Sequence, residues 1–272
     1  MGTGDENWNL AVFRDPPAAS EAAADVVSAV IRGKPDAAVS FPTGSTPLGM
    51  FDVLAARAAR AEIDFAAVTV FCLDEYVGVT VEDPNSLTRW LREAFLNRIG
   101  VTPGHLHTLP VTADDLVAAA AAYEESINAR GGLELAILGL GPNGHIGYNE
   151  PGSSANSRTR VITLTPESRS QASAYWKGAV PIPHQAMTMG VATLLEAKRL
   201  VLLVLGEAKA VILRRTLEEP MSADIPASWL RIAGPRLTVV ADKAATSELS
   251  IERLALTAAS DDPIGERRDR RT

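Results

Sequence analysis

Two side chains able to move protons, His145 and Glu150, stand in the stretch Gly139-Leu140-Gly141-Pro142-Asn143-Gly144-His145-Ile146-Gly147-Tyr148-Asn149-Glu150-Pro151-Gly152, and they are its only histidine and only carboxylate. Five glycines and two prolines in these fourteen residues exclude a long helix or strand. The stretch follows the apolar run 134–138, short enough to be a buried parallel strand. A loop leaving such a strand lies where open α/β sheets bind ligands. His145 and Glu150 are therefore the first candidates for acid–base chemistry.

A second candidate is the pair Asp74-Glu75, which follows the apolar run 67–72. Two adjacent carboxylates at the end of a buried strand are costly unless they are paired or used. One could cap the following turn while the other is solvated; alternatively, one is a base. The position at a strand's carboxyl end favours the base.

Anion binding has two candidates. In Pro42-Thr43-Gly44-Ser45-Thr46-Pro47, Gly44 allows close backbone approach, and Ser45 and Thr46 offer hydroxyls and N–H groups. Leu48, Phe51, Leu54 and Ala55 then follow at helical spacing, with Pro47 suited to the first helical position. The positive end of that helix suits a phosphate, although a plain threonine cap fits the same residues equally well. Lys209, in the first turn of a helix beginning at 206–210, opposes the helix dipole, so a nearby anion would account for it. A solvent-exposed lysine is the alternative.

Gly139, Gly141 and Gly144 also satisfy the dinucleotide pattern G-x-G-x-x-G. That pattern needs a helix at its third glycine and an acidic residue ending the next strand. Pro151 and Gly152 stop any such helix, and Glu167 sits at a helix start, so a nicotinamide or flavin site is not expected. His105 and His107 have no third ligand near them in sequence, so no metal site is expected there.

The elements that must position these residues alternate. Strands are expected at 9–13, 36–41, 67–72, 134–138, 160–164, 199–205 and 237–240; helices at 16–32, from 47, after 86, at 113–130, at 166–176 and from 206. Such alternation predicts one doubly wound α/β domain around a mostly parallel, Rossmann-like sheet, covering 1–258, with a charged, disordered tail at 259–272. The 272 residues suffice for a substantial core, and 46% hydrophobic with 22% charged residues is ordinary for a globular chain. A net charge of -7 argues against a nucleic-acid partner, and no apolar run is long enough to span a membrane. One cysteine, Cys72, and an acidic, polar N-terminus lead to the expectation of a cytoplasmic protein.

Six motifs, at 42–47, 73–76, 139–153, 157–160, 187–195 and 206–210, together resemble the glucosamine-6-phosphate deaminase (isomerase) family, in consistent order from residue 35 to 245. The resemblance implies conversion of glucosamine 6-phosphate and water into fructose 6-phosphate and ammonia, without a cofactor or metal. Its only implied partner is the small sugar phosphate, and a homo-oligomer is left open. The residue matching Asp74 would carry a proton between C2 and C1 of the open-chain sugar. The residue matching His145, held by the one matching Glu150, would assist ring opening. Gly44, Ser45, Thr46 and Lys209 match the phosphate site.

Departures from the family pattern are specific. Asn143 stands where the best-studied members have an aspartate; an amide can orient the ring without adding charge. An expected phosphate-binding arginine falls at Ala174, leaving Arg169 as a substitute. The Gln-x-His of the family becomes Arg231-Ile232-Ala233. Of a basic pair used in allosteric activation only Arg160 remains, opposite Ile162, so activation by N-acetylglucosamine 6-phosphate is not expected. Two other readings compete. One is 6-phosphogluconolactonase, which shares the fold but has Asp-Glu-Arg where this chain has Asp74-Glu75-Tyr76; the other is a non-catalytic sugar-phosphate binder.

Overall fold

Apolar runs become strands and alanine-rich stretches become helices in the computed structural model, which describes residues 7–173, 176–177 and 181–250. In chain order these are β1 (Asn9–Phe13), α1 (Pro16–Gly33), β2 (Ala38–Ser40), α2 (Leu48–Ala59), β3 (Thr69–Phe71), β4 (Asp74–Tyr76), α3 (Leu87–Ala94), β5 (Leu106–His107) and α4 (Leu116–Ala129). There follow β6 (Leu135–Gly139), β7 (Arg160–Thr163), α5 (Pro166–Ser173), β8 (Gln185–Thr188), α6 (Val191–Leu195), β9 (Leu200–Val204), α7 (Ala210–Glu218) and β10 (Leu237–Asp242).

Seven strands form one parallel sheet in the order β1-β10-β9-β6-β2-β3-β5. Both faces are buried. Leu200, Leu202 and Val204 of β9 join one core with Leu138 and Val239, whereas Val201 and Leu203 join the opposite core with Ile137 and Val240. Because alternate side chains enter different apolar layers, these strands read as unbroken apolar runs. The helices are set by local signals: Asp15 accepts a 2.9 Å bond from Ala18 N at the start of α1, where the two prolines forfeit no helical bond.

Strand order reverses between β2 and β6. From β2 the chain proceeds to β3 on one side; from β6 it proceeds to β9 and β10 on the other. The loops leaving β2 and β6 are those of Gly44 and His145, so both open into the crevice at the switch point.

The expectation of a single sheet needs amendment. A second, antiparallel sheet in the order β4-β8-β7 packs with the first. Asp74-Glu75-Tyr76 does not prolong β3 but pairs with Thr188, Met187 and Ala186 of β8. All three β4 residues are buried, so a three-residue strand offered no alternation to detect. Pro47 is the N-cap of α2 rather than its first helical residue, and no side chain caps this helix, so the threonine-cap alternative fails. His107 forms the edge strand β5 and stacks on Phe71 with ring centroids 4.4 Å apart. Among the described residues no helix is long and apolar enough to cross a membrane, and no three His, Cys, Asp or Glu side chains cluster as a metal site. Ala174 and the 259–272 tail lie outside the described residues.

Candidate active site

Asp74 and Glu75 divide the two roles their sequence allowed. Glu75 accepts from Ser86 Oγ at 2.6 Å, Thr88 N at 2.9 Å, and Leu87 N and Tyr76 N at 3.0 Å, so it caps the start of α3. Asp74 is equally buried, yet its Oδ1 has no hydrogen-bond partner. Burial, and then repulsion from Glu75, push the Asp74 carboxyl up to about 7. A carboxylate in that range can accept and return a proton near neutral pH.

Glycines fold the loop after β6 onto this strand. Gly147 has φ +54°, and a Cβ there would lie 3.0 Å from Thr188 Oγ1 and 3.3 Å from Asp74 Oδ2. Thr188 is the residue opposite Asp74 across the antiparallel pair and accepts from Tyr148 N at 3.1 Å. Asn149 Nδ2 donates to Met189 O at 2.7 Å and to Ile146 O at 3.0 Å. Arg160 holds the loop from the far side, donating to Asn149 Oδ1 at 2.9 Å and Ser153 Oγ at 2.8 Å.

The His145 ring lies over Gly141, where any Cβ would come within 2.3 Å of Nε2. Its Nδ1 is 3.5 Å from Glu150 Oε2 and 3.3 Å from Ser168 Oγ. Asn143 bridges the loop: Nδ2 donates to Glu150 Oε2 at 3.0 Å, and Oδ1 accepts from His145 N at 3.2 Å. Thr165 supplies its N–H at 3.2 Å and its hydroxyl at 3.3 Å to Glu150 Oε1. Burial alone would raise the Glu150 carboxyl, but bonds from His145, Ser168 and Asn143 prevail and hold it down at about 2. Glu150 therefore stays ionised and accepts from the imidazole.

A cleft of about 250 Å³ opens beside these groups. Thr43, Gly44 and Ser45 form one wall, and Tyr76, Tyr148 and Ser168 another. The Tyr76 and Tyr148 hydroxyls are 2.7 Å apart, joining β4 to the loop. Asp74 lies two residues before Tyr76 on β4, and His145 reaches the cleft through Ser168. Gly44, at φ +95°, uses the freedom glycine alone has there. Thr46 and Lys209 are not in this wall. Lys209 ends the 3-10 turn Glu207–Lys209 after β9, a neighbour of β6, and burial lowers its affinity for a proton. Among the described residues it makes no ion pair. Arg169 Nη2 donates to Ile182 O at 3.5 Å.

Thus His145, Glu150 and Asn143 meet, Asp74 lies against the same loop at Gly147, and Gly44 and Ser45 line the neighbouring cleft. Ser168, Thr165, Tyr148 and Thr188 join them without having been singled out from sequence. The 165–167 segment signalled only a helix start, which is also true: Thr165 Oγ1 accepts from Ser168 N at 3.2 Å.

Fold and site together define an α/β protein that gathers ionisable side chains beside a cleft at the switch point of a parallel sheet. The sequence signature described as glucosamine-6-phosphate isomerases/6-phosphogluconolactonase matches residues 16–239, and the chain belongs to that family. It is 41% identical over 229 residues to the glucosamine-6-phosphate deaminase of Arthrobacter sp. (strain FB24), covering 84% of this chain and 88% of the relative. The deaminase of Streptomyces coelicolor is 39% identical over 243 residues, 89% of this chain and 93% of the relative. A solved monomeric glucosamine-6-phosphate deaminase superposes with a TM-score of 0.84 at 35% identity, covering 88% of this chain and 99% of its own. The 6-phosphogluconolactonase of Trypanosoma brucei, at TM-score 0.68, 19% identity and coverages of 89% and 98%, shares the fold.

Proposed function

We propose that this chain is a glucosamine-6-phosphate deaminase, converting glucosamine 6-phosphate and water into fructose 6-phosphate and ammonia. The observation that carries the reading is Asp74, a buried carboxyl with an unpartnered oxygen, set against the loop of a carboxylate-held histidine. His145, protonated on both nitrogens, gives a proton to the ring oxygen and opens the pyranose. Asp74 removes the C2 proton of the resulting α-ammonio aldehyde and returns it to C1, while one ammonium proton passes to O1, leaving a C1 hydroxyl and an iminium at C2. Water adds to C2, ammonia leaves, and the ketose remains. General acid–base steps of this kind are each worth about 10²–10⁴ in rate.

Glu150 supports the imidazolium, and Asn143 supports Glu150 without adding a second negative charge. The phosphate is assigned to Gly44 and Ser45 of the cleft wall, together with Thr46 and the partly buried Lys209, which lie outside that wall. Every residue invoked comes from one polypeptide, and the buried thiol of Cys72 suits a reducing cytoplasm. Ammonium release from glucosamine 6-phosphate by the purified protein tests the reading, with Asp74→Asn as the control that should lose it. Opening of 6-phosphogluconolactone without ammonium release, or full activity in Asp74→Asn, would overturn it.

A further inference from the structure

Ser168 is the residue that connects the cleft to the imidazole. It lies in the first turn of α5, is 3% exposed, and yet lines the cleft. Its Oγ stands 3.3 Å from His145 Nδ1 and 3.3 Å from the Thr165 hydroxyl, which in turn reaches Glu150 Oε1 at 3.3 Å. Burial of a serine hydroxyl costs free energy unless its bonds are made. Here it has a nitrogen on one side and a carboxylate network on the other.

The chemistry of the neighbours sets the direction of the bonds. Glu150 is ionised and can only accept, so a bare lone pair on Nδ1, 3.5 Å from its Oε2, would face a negative oxygen, whereas Nδ1–H meets an acceptor there. Nδ1–H then has two acceptors, Glu150 Oε2 and Ser168 Oγ. The shorter of the two distances is to Ser168. Ser168 Oγ is tied to Glu150 through the Thr165 hydroxyl, which lies 3.3 Å from both. In neutral His145 the lone pair therefore falls on Nε2.

We propose that Ser168 is a positioning residue for the acid–base histidine: it accepts from Nδ1–H and is anchored through Thr165 to Glu150, fixing the tautomer and plane of the ring from the cleft side. This rests on the deaminase reading, since His145 is the group it serves, but its structural half is independent of turnover. The side chain is also a cleft wall, so an occupant of the cleft contacts the same hydroxyl that holds the ring.

The test uses the full chain with Ser168→Ala and Ser168→Thr. The kcat/KM of Ser168→Ala should fall about tenfold, the size of one lost hydrogen bond. The acidic limb of its pH profile should move, and Ser168→Thr, which keeps an Oγ, should restore both. Nitrogen NMR of the four histidines, with His145 assigned by its loss in His145→Gln, should show Nδ1 protonated in the wild type and a mixture of tautomers in Ser168→Ala. An unchanged pH profile and unchanged His145 nitrogen signals in Ser168→Ala would overturn the proposal, whatever happens to KM or Tm. Should the wild type release no ammonium at all, the deaminase reading fails, and the nitrogen signals alone decide the role of Ser168.

Discussion

Asp74 and Glu75 are adjacent in the chain, both buried, and opposite in their surroundings. Glu75 accepts four hydrogen bonds within 3.0 Å, whereas Asp74 Oδ1 accepts none. Alternation along β4 turns one carboxylate toward the start of α3 and the other toward the loop of Gly147. A polar group left unpaired inside a protein costs about 1–3 kcal/mol. That cost at Asp74 accompanies a carboxyl poised to exchange a proton, which is the arrangement expected of a base rather than of a structural ion.

Glu75→Gln should separate the two carboxylates experimentally. An amide cannot accept from Ser86, Leu87, Thr88 and Tyr76 as the carboxylate does, so folding stability should fall by about 1–3 kcal/mol. Removing the negative charge also relieves its repulsion on Asp74. The rise of kcat/KM with pH should consequently shift to lower pH in whatever protein remains folded. A pH–rate profile superimposable on the wild type would contradict this coupling.

Gly141→Ala tests how tightly the imidazole is seated. The new methyl would fall 2.3 Å from His145 Nε2, well inside contact distance, so either the ring or the backbone must move. A displacement of about 1 Å at a reacting group costs roughly 10²-fold in rate. The expected result is a fall in kcat of that order with secondary structure retained by circular dichroism. Wild-type kcat would show that the ring does not rest where the geometry puts it.

Much of this architecture could be read from the chain, and the exceptions share a cause. β1 matches its expected limits of Asn9 and Phe13, and the runs that became β6 and β9 were plain because both of their faces are covered. Gly141 and Gly147 were visible as loop glycines, but not as the two places where a Cβ would strike His145 or approach Asp74. β4 and β8 went unseen because each is a short strand stabilised by its partner across the sheet rather than by its own pattern. Asp74, His145 and Glu150 stood out as candidates because each is an ionisable side chain set in an apolar or glycine-rich stretch. Thr165 and Ser168 did not, because a threonine before a proline has a sufficient local meaning as a helix cap and a serine in the first helical turn has none that points to a site.

Asn143→Ala should weaken the histidine from behind. The amide donates to Glu150 Oε2 and accepts from His145 N, so alanine removes both ties at once. Two hydrogen bonds at about 1 kcal/mol each predict a loss of roughly tenfold to thirtyfold in kcat/KM. Asn143→Asp behaves differently: it sets a second carboxyl against Glu150, and two carboxylates at 3.0 Å cannot both ionise freely. The acid limb of its pH profile should therefore move upward. Identical profiles for the two variants would remove the charge argument for an amide at this position.

Stability should carry the same signature of Asp74 as catalysis does. In the folded chain its carboxyl keeps its proton up to about pH 7, whereas an unfolded aspartate ionises near pH 4, roughly its ordinary value. Below that lower value both states hold the proton and the residue is neutral to folding. As pH rises between the two values, only the unfolded chain gives the proton up, so folding loses free energy until the buried carboxyl itself ionises. Asparagine has no such dependence. Asp74→Asn should thus unfold at a higher temperature than the wild type at pH 8, by about 5 °C, and the gap should close as pH falls toward 4. Calorimetric scans at pH 4, 6 and 8 measure it, and a gap that stayed constant with pH would mean that Asp74 is not buried against its charge in the folded protein.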